Sequence, residues 1–282
     1  MNAQQYEKDV RTLVAKRHDN GGDFWATADG RWGAGSPFST FDCTLMLSEL
    51  GLKRDDPIMK GAAEVLFNTW RDDGRFQPAP NAAIYPCHTA NAARVLCRLG
   101  YARDRRLKKT LEYLLDTQHD DGGWRCNKAK LGRGEETDAS NPGTTLAALD
   151  AFRFSPLLNT NKRLNRATKF LLTHWRTRRP LGSCEFGIGT LFMQIEFPFL
   201  RYNLFFYVYT LSFYRAATKT RNFQLALRTL QSKLVDSRIV VENPNRKLAK
   251  LSFCEKGCSS RIATTRYQEI LRNTKRASSS AR

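Results

Sequence analysis

Residues 111–124 read LEYLLDTQHDDGGW, a helix end followed by a glycine-rich turn and a tryptophan. The leucines recur at the spacing of one helix face, and Gln118 closes the helical pattern. The paired glycines permit a positive φ and end the helix, while Trp124 supplies a large apolar ring beside that end. The stretch therefore predicts an amphipathic helix with a tight corner anchored by an aromatic side chain.

Two weaker copies of this corner precede it in the chain. Residues 68–76 read NTWRDDGRF and residues 29–32 read DGRW. The aromatic ends, Trp32, Phe76 and Trp124, are 44 and 48 residues apart. A similarity that recurs at such a period indicates a repeat architecture built from one supersecondary unit.

A second kind of segment recurs between the corners. It starts with a polar or small residue suited to a helix N-cap, and its interior is apolar or small on nearly all sides, as in a buried helix. The copies are residues 39–51, 87–100, 141–152, 197–214 and 259–273. More charged, amphipathic helices alternate with them at 58–70, 104–118, 161–176 and 221–236.

This alternation predicts an all-α fold of about five to six helical hairpins. The buried helices are too apolar to line an open, wet concave face, so we expect the array to close into an α/α toroid with an inner and an outer ring of helices. We expect an N-terminal helical extension over residues 1–20, the toroid over 21–274, and a disordered basic tail over 275–282. Only residues 238–241 read as a short strand.

Composition narrows the class of protein. The chain has 282 residues and 41% hydrophobic content, without an apolar segment typical of a signal peptide and without an uncharged run of about 18 apolar residues. Seven cysteines is an odd number in a chain of this size, which argues against a disulfide scaffold. These features predict a cytoplasmic protein.

The formal net charge is +19, with the basic excess concentrated at 103–109, 162–179 and 246–282. Nucleic acid, an anionic membrane surface or a phosphorylated ligand would each suit this charge, and so would an ordinary solvated face. The sequence has neither zinc-finger spacing nor an RNP-like aromatic motif, so nucleic acid is not the expected partner.

The LLDTQ and DGGW elements around Gln118 and Trp124 resemble the Gln–Trp repeat of squalene cyclases. The alternating helices resemble the α/α toroid shared by terpenoid cyclases and the β subunits of protein prenyltransferases, over residues 20–273. The resemblance implies an enzyme that binds an isoprenoid or similar apolar ligand with an anionic head group. A non-catalytic toroid that binds a lipid or a partner protein, and a basic protein that docks on a membrane or nucleic acid, are the alternatives.

The chain departs from the acidic motifs of these enzymes. It has no DxDD sequence, which class II cyclases use as their acid, and the acidic pairs at 55–56 and 72–73 do not complete a DDxxD metal box. Asp42, Cys43 and His88 resemble the zinc ligands of protein prenyltransferases, although that family has one residue between its Asp and Cys. The resemblance makes Asp42 and His88 the candidate catalytic residues.

Five cysteines fall in segments that lead from an outer helix into an inner one: Cys87, Cys126, Cys184, Cys254 and Cys258. In a toroid those segments share one mouth. Thiolates and imidazole suit zinc, so Cys87, Cys126, Cys184 and His88 are the candidate metal ligands, with Cys254 in reserve. The alternative is that the cysteines pack as small hydrophobic residues.

The same mouth would collect the N-termini of the inner helices, whose dipoles and free N–H groups favour an anion. Arg31, Arg125 and Arg133 lie in loops of that class and are candidate ligands for the head group, or else ordinary surface arginines. Within the most aromatic segment, the candidate isoprenoid contacts are Arg201, Tyr202, Phe205, Phe206 and Tyr209. The rings could equally be core, and Glu196 is a candidate partner for Arg201.

Overall fold

The computed structural model describes residues 6–128 and 132–279. In these two ranges the regular secondary structure is helical, apart from isolated β-bridges. The segment 238–241 forms such bridges, from Arg238 to Val235 and from Val240 to Ser259, rather than a strand in a sheet. The α-helices are α1 (Glu7–Ala15), α2 (Thr40–Glu49), α3 (Pro57–Phe67), α4 (Pro86–Leu96), α5 (Arg105–Asp116), α6 (Glu135–Asp138), α7 (Pro142–Phe152), α8 (Lys162–Thr177), α9 (Thr190–Met193), α10 (Leu204–Leu211), α11 (Arg215–Thr218), α12 (Arg221–Gln231) and α13 (Arg261–Ser279).

Five of these helices form an inner ring. Helix α4 packs between α2 and α7, and α10 packs between α7 and α13. Nearly every residue of α2, α7 and α10 is buried, as their apolar sequences require. The ring closes where Arg266 of α13 donates a hydrogen bond to Glu49 of α2. The α/α toroid predicted from the sequence is therefore confirmed.

The outer ring consists of the amphipathic helices α1, α3, α5, α8 and α12. In α5, for example, Leu107, Leu111 and Leu114 are buried while the lysines between them are exposed. Each outer helix packs against an inner one, and α8 also contacts α12. Because one side of each helix faces the core and the other faces solvent, five outer–inner pairs account for the described fold.

The corner that follows α5 joins three parts of the repeat. The indole N–H of Trp124 donates to the carbonyl of Leu114 at 2.6 Å, and the Gln118 amide donates to the carbonyls of Gly122 and Arg163. The backbone N–H of Trp124 donates to Thr145 Oγ1 at 3.2 Å. The backbone N–H of Phe76 makes the same bond to Thr89 Oγ1, also at 3.2 Å. The corner at Phe76 is thus a structural copy of the corner at Trp124.

The corner near the start of the chain, predicted at residues 29–32, differs from the sequence prediction. Trp25, which is fully buried, donates its indole N–H to the carbonyl of Leu13 at 2.9 Å and so occupies the place of Trp124. Trp32, predicted for that place, has an indole N–H without a partner in the described residues, and its ring meets His88 edge-on at 6.0 Å.

The ends of the chain contribute to the ring. Asp9 of α1 accepts hydrogen bonds from Ser252 and Phe253, in the segment that precedes α13. Residues 1–20, set apart from the toroid in the sequence analysis, therefore contain its first outer helix. Residues 275–279, predicted as disordered tail, continue α13, and residues 280–282 lie outside the described ranges. No helix in the described ranges is long and apolar enough to cross a bilayer.

The middle of the ring is filled rather than hollow. Phe199, in the loop before α10, stacks on Phe206 at 5.4 Å and on Tyr209 at 5.0 Å. The guanidinium of Arg94 donates to the Phe199 carbonyl at 2.8 Å and to Asp150 at 2.6 Å. This buried plug leaves separate cavities at the two mouths of the toroid.

Candidate active site

The inner helices share a register at their amino-terminal mouth. The third residue of α2, α4, α7 and α10 lines a cavity there in each case: Asp42, His88, Thr144 and Phe206. Parallel helices that start at one level place equivalent residues at one depth, so the repeat itself brings these side chains to the same mouth. The two predicted catalytic residues, Asp42 and His88, are thereby brought together.

Two adjoining cavities form this mouth. The first has a volume of about 650 Å³ and is lined by Asp42, His88 and Trp32, among others. The second, of about 560 Å³, is lined by Glu196, Phe206 and other residues of α4, α7 and α10. Asn91 borders both cavities. Volumes of this size are typical of sites for small organic molecules.

Asp42 is a buried carboxyl group on the wall of the first cavity, with 4% of its surface exposed. Ser39 Oγ accepts from the backbone N–H of Asp42 and donates to its Oδ2 at 2.9 Å. Burial raises the pKa of Asp42, and the opposing effects of Ser36, Ser39 and the Arg94 charge are smaller. This environment favours the protonated acid more than water does.

Glu196 is a second buried carboxyl group, on the wall of the second cavity. Burial raises the pKa of Glu196, the Arg201 guanidinium opposes that change, and the nearby charge of Asp42 adds to it. Arg201 Nε lies 2.8 Å from both carboxylate oxygens, so the predicted pair is confirmed. The Arg201 side chain remains 54% exposed, which leaves its other N–H groups accessible from the mouth.

His88 faces the same cavity as Asp42. Its Nδ1 accepts from the backbone N–H of Tyr85 at 3.3 Å, and burial lowers its pKa against the effect of a hydrogen bond to the Ala83 backbone. This environment favours the neutral imidazole more than water does. Asp42 and His88 thus place a carboxyl group and an imidazole on the wall of one cavity.

The predicted cysteine ligands lie near each other but do not form a metal site. Burial raises the pKa of Cys87 to about 11, with smaller contributions from charges on Cys126 and Cys184. Cys254 lies elsewhere and donates to the Leu248 carbonyl at 3.5 Å. Among the described residues no group of three or more His, Cys, Asp or Glu side chains could hold a metal ion. The described residues therefore give no support to the expected zinc site.

Only some of the arginines predicted to bind an anionic group line the cavities of this mouth. Arg31 lines the first cavity and binds Asp29 at 2.8 Å, and Arg201 lines the second. Arg125 binds Asp138 at 3.0 Å and does not border either cavity. Arg133 is exposed in the same loop region. Two of the four thus remain candidates for contact with an anionic group.

The predicted aromatic contacts are also divided. Tyr202 and Phe206 line the second cavity, and the Tyr202 hydroxyl bonds His174 Nδ1 at 2.9 Å. Phe205 is fully buried against Phe199 at 4.9 Å. Tyr209 belongs to the opposite mouth, where its hydroxyl donates to Glu269 at 2.8 Å. Helix α10 runs along the ring axis, so its successive turns reach different depths.

Sequence reasoning did not select Asn91 and assigned Glu196 only as a partner for Arg201. Asn91 lies one turn after Cys87 in the run TANAA, where a polar residue in a buried helix was an available signal. Glu196 is the acidic residue in the otherwise apolar run 195–200, IEFPFL. Such isolated polar residues in apolar segments usually need a partner or a cavity.

Comparisons with known proteins bear on the fold alone. No family model matches the chain, and no curated protein matches it. Among solved structures, a protein from Actinoplanes is 18% identical, with a TM-score of 0.47, over 95% of this chain and 83% of that one. The type II terpene cyclase MstE from Scytonema, in complex with its product merosterolic acid A, is 14% identical, with a TM-score of 0.46, over 98% of this chain and 77% of that one. Likeness at this level carries no argument about activity, and the toroid is established by its helix packing.

Proposed function

We propose that this protein is a cyclase-like enzyme that binds an isoprenoid or similar apolar small molecule at the amino-terminal mouth and protonates it. Asp42 is the proton donor in this proposal. The observation that carries it is a buried carboxyl group on a cavity wall, without an ion-pair partner in the described parts of the chain and with a raised pKa. A carboxyl group that stays protonated in an apolar site is suited to general acid catalysis.

In the proposed reaction, Asp42 donates its proton to one carbon of a substrate double bond. The O–H bond breaks, a C–H bond forms with the π electrons, and the neighbouring carbon becomes cationic. The faces of Phe41 and Trp32, which line the same cavity, stabilise that charge. Because His88 Nδ1 already accepts from the Tyr85 backbone, water at the mouth removes a proton from an adjacent carbon, which restores a double bond, and solvent reprotonates Asp42.

The anionic head group is placed at the rim of the mouth. Arg201 retains accessible N–H groups beyond its pair with Glu196, and Asn91 offers an amide between the two cavities. The N-termini of the inner helices point to this end and favour a negative charge. A diphosphate or carboxylate near Arg201 would leave the apolar chain among the aromatic rings.

The test uses the full chain with geranylgeraniol and geranylgeranyl diphosphate in D₂O. Wild-type protein is expected to form a product that carries deuterium, detected by mass spectrometry. Asp42→Asn is expected to lower the rate by roughly 10²- to 10⁴-fold, the usual contribution of a general acid, while ligand binding by calorimetry is retained.

Asp116→Asn serves as the matched control, because that carboxylate is 77% exposed on an outer helix. Its product yield is expected to equal wild type. If wild-type protein bound the substrate without converting it, the result would contradict the proposed enzyme and favour a toroid that only binds a lipid. Undiminished turnover by Asp42→Asn would remove Asp42 as the acid.

A further inference from the structure

The opposite mouth of the toroid holds a separate cavity of about 610 Å³. It lies where the inner helices end, and it shares no lining residue with the amino-terminal cavities. Its wall contains five basic side chains and two acidic ones: Lys53, Arg54, Arg98, Arg153, Arg266, Asp55 and Glu269. The proposed reaction uses none of these groups.

The deeper arginines are held in place by carboxylates. Arg98 binds Glu49 at 2.6 Å and donates to Ser48 Oγ at 2.8 Å. Arg266 binds Glu49 at 2.8 Å, and its side chain is only 18% exposed. On the other side of the cavity, Arg153 donates to Asp150 at 2.6 Å. Each guanidinium is therefore oriented without the need for a ligand to order it.

The carboxylates do not neutralise the basic groups of this cavity completely. In the buried cluster, the guanidinium groups of Arg98, Arg153 and Arg266 face three carboxylates, Glu49, Asp150 and Glu269, while Arg94, which also binds Asp150, lines a cavity at the other mouth. Burial raises the pKa of Glu49 and Asp150, but the surrounding arginines outweigh burial, and the pKa of both carboxyl groups is lowered. The three carboxylates therefore balance the three arginines, and the surplus positive charge lies at the rim, where Lys53 and Arg54 outnumber Asp55.

The rest of the wall is apolar or aromatic. Leu52, Leu99, Phe154 and Tyr209 contribute to it. The cavity volume exceeds that of a bare oxyanion, so a ligand with an attached ring or short apolar body would fit. Oriented guanidinium donors together with a surplus of basic charge in a partly enclosed space suit a phosphate group.

We propose that the carboxyl-terminal mouth is a second ligand site, which binds a phosphate group, with the rim charges of Lys53 and Arg54 and the oriented guanidinium groups of Arg98, Arg153 and Arg266 as its receptor. Inorganic phosphate and a small aromatic phosphate monoester share this chemistry. The cavity is lined by α2, by α13 and by the residues that follow α4 and α7, so a ligand here joins the first inner helix of the ring to the last. Binding to the folded state alone raises thermal stability.

The test titrates full-length protein with inorganic phosphate and, separately, with phenyl phosphate, and reads binding by calorimetry and the melting temperature. Saturable binding with a rise in Tm is expected for at least one probe. Tighter binding of phenyl phosphate than of inorganic phosphate would indicate that the apolar wall contacts the organic part of the ligand. The double variant K53Q/R54Q removes two exposed charges without touching the buried cluster. It is expected to weaken binding by roughly fivefold, whereas Asp55→Asn is expected to strengthen it.

Arg31→Gln, at the amino-terminal mouth, is the matched control and is expected to leave phosphate affinity unchanged. The absence of saturable binding of either probe to wild type would overturn the proposal. So would affinity that responds to Arg31→Gln but not to K53Q/R54Q, because the anion would then occupy the other mouth. Neither result depends on the conversion of an isoprenoid, so this site and the proposed reaction fail separately.

Discussion

Glu49 accepts a hydrogen bond at 2.9 Å from Nε of Arg266, a residue 217 positions later in the chain. The contact joins the first inner helix to the last, and Glu49 also binds Arg98 of the segment that follows α4. One buried carboxylate thus holds three parts of the ring together.

Replacement of Glu49 by Gln is expected to destabilise the fold by about 3–5 kcal/mol. The substitution leaves two arginines, both at most 18% exposed, without their counter-charge. Urea denaturation measures the change in unfolding free energy. Glu64→Gln, an exposed position on α3, is the control and should stay within about 0.5 kcal/mol of wild type. If Glu49→Gln also changed the unfolding free energy by less than about 0.5 kcal/mol, the Glu49–Arg266 pair would not be what holds the ring closed.

Acid is expected to destabilise the protein through Asp150. Burial would raise its pKa, but Arg153 and Arg94 lower the pKa to about 2. A carboxyl group with a lower pKa in the folded state contributes stability above its unfolded pKa and loses it as pH falls through the folded value. About 2 kcal/mol should therefore disappear between roughly pH 4 and pH 2. Denaturation at each pH should show a shallower decline for Asp150→Asn than for wild type.

The ionisation of Asp42 is expected to affect stability in the opposite direction to that of Asp150. Its pKa is raised by burial, so the folded state binds this proton more tightly than the unfolded chain. The group contributes stability below its unfolded pKa, and that contribution is lost as pH rises through the folded value. Asp42→Asn is therefore expected to melt at the same temperature as wild type or higher at pH 7, although it loses the proposed activity. A clear drop in Tm would indicate a structural role for the carboxylate.

The two tryptophans give a matched pair of substitutions. Trp124→Phe removes the indole donor of the Leu114 carbonyl and is expected to cost about 1–3 kcal/mol. Trp32→Phe removes an indole N–H that has no partner in the described residues, so it loses no hydrogen bond. Chemical denaturation of both variants compares the two losses. Equal losses would show that ring size, and not the hydrogen bond, anchors the corner.

Gly122 is required by both conformation and space. Its φ is +98°, and an added Cβ would lie 2.5 Å from the carbonyl oxygen of Arg166. Gly122→Ala is therefore expected to lower stability by more than about 1 kcal/mol. Gly189 has neither a positive φ nor a neighbour within 4 Å of an added Cβ, so Gly189→Ala should change stability little. The melting temperatures of both variants test this difference.

Most of the helices and corners that could be predicted are marked by residues close to them in the sequence. Helices α2, α7 and α10 begin where Ser39, Asn141 and Asn203 cap the first turn, and these caps are readable in sequence. The corner at Trp124 was identifiable because its glycines and its aromatic residue are adjacent. The first corner was misplaced because Trp25 and Trp32 are both near a turn, and only packing against Leu13 distinguishes them.

The candidate site was partly predictable. A shared helix register placed Asp42 and His88 at one mouth, and that register follows from the repeat. The proximity of Glu196 to Asp42 was not predictable, because the two residues lie far apart in the chain and meet only when the ring has folded. Nor could spacing show that Cys87 and its neighbours fail to form a metal site, since ligand geometry depends on side-chain directions and burial.

By itself, the sequence determined the helices, their caps, their alternation between buried and half-exposed faces, and the tendency of the array to close. These properties depend on residues within a few turns of each other, where propensity and periodicity act directly. The tertiary structure alone decided that Glu49 meets Arg266, that Phe199 fills the ring, and that charge collects around a second mouth. Those contacts join residues far apart in the chain, and their energies depend on burial that exists only once the ring has closed.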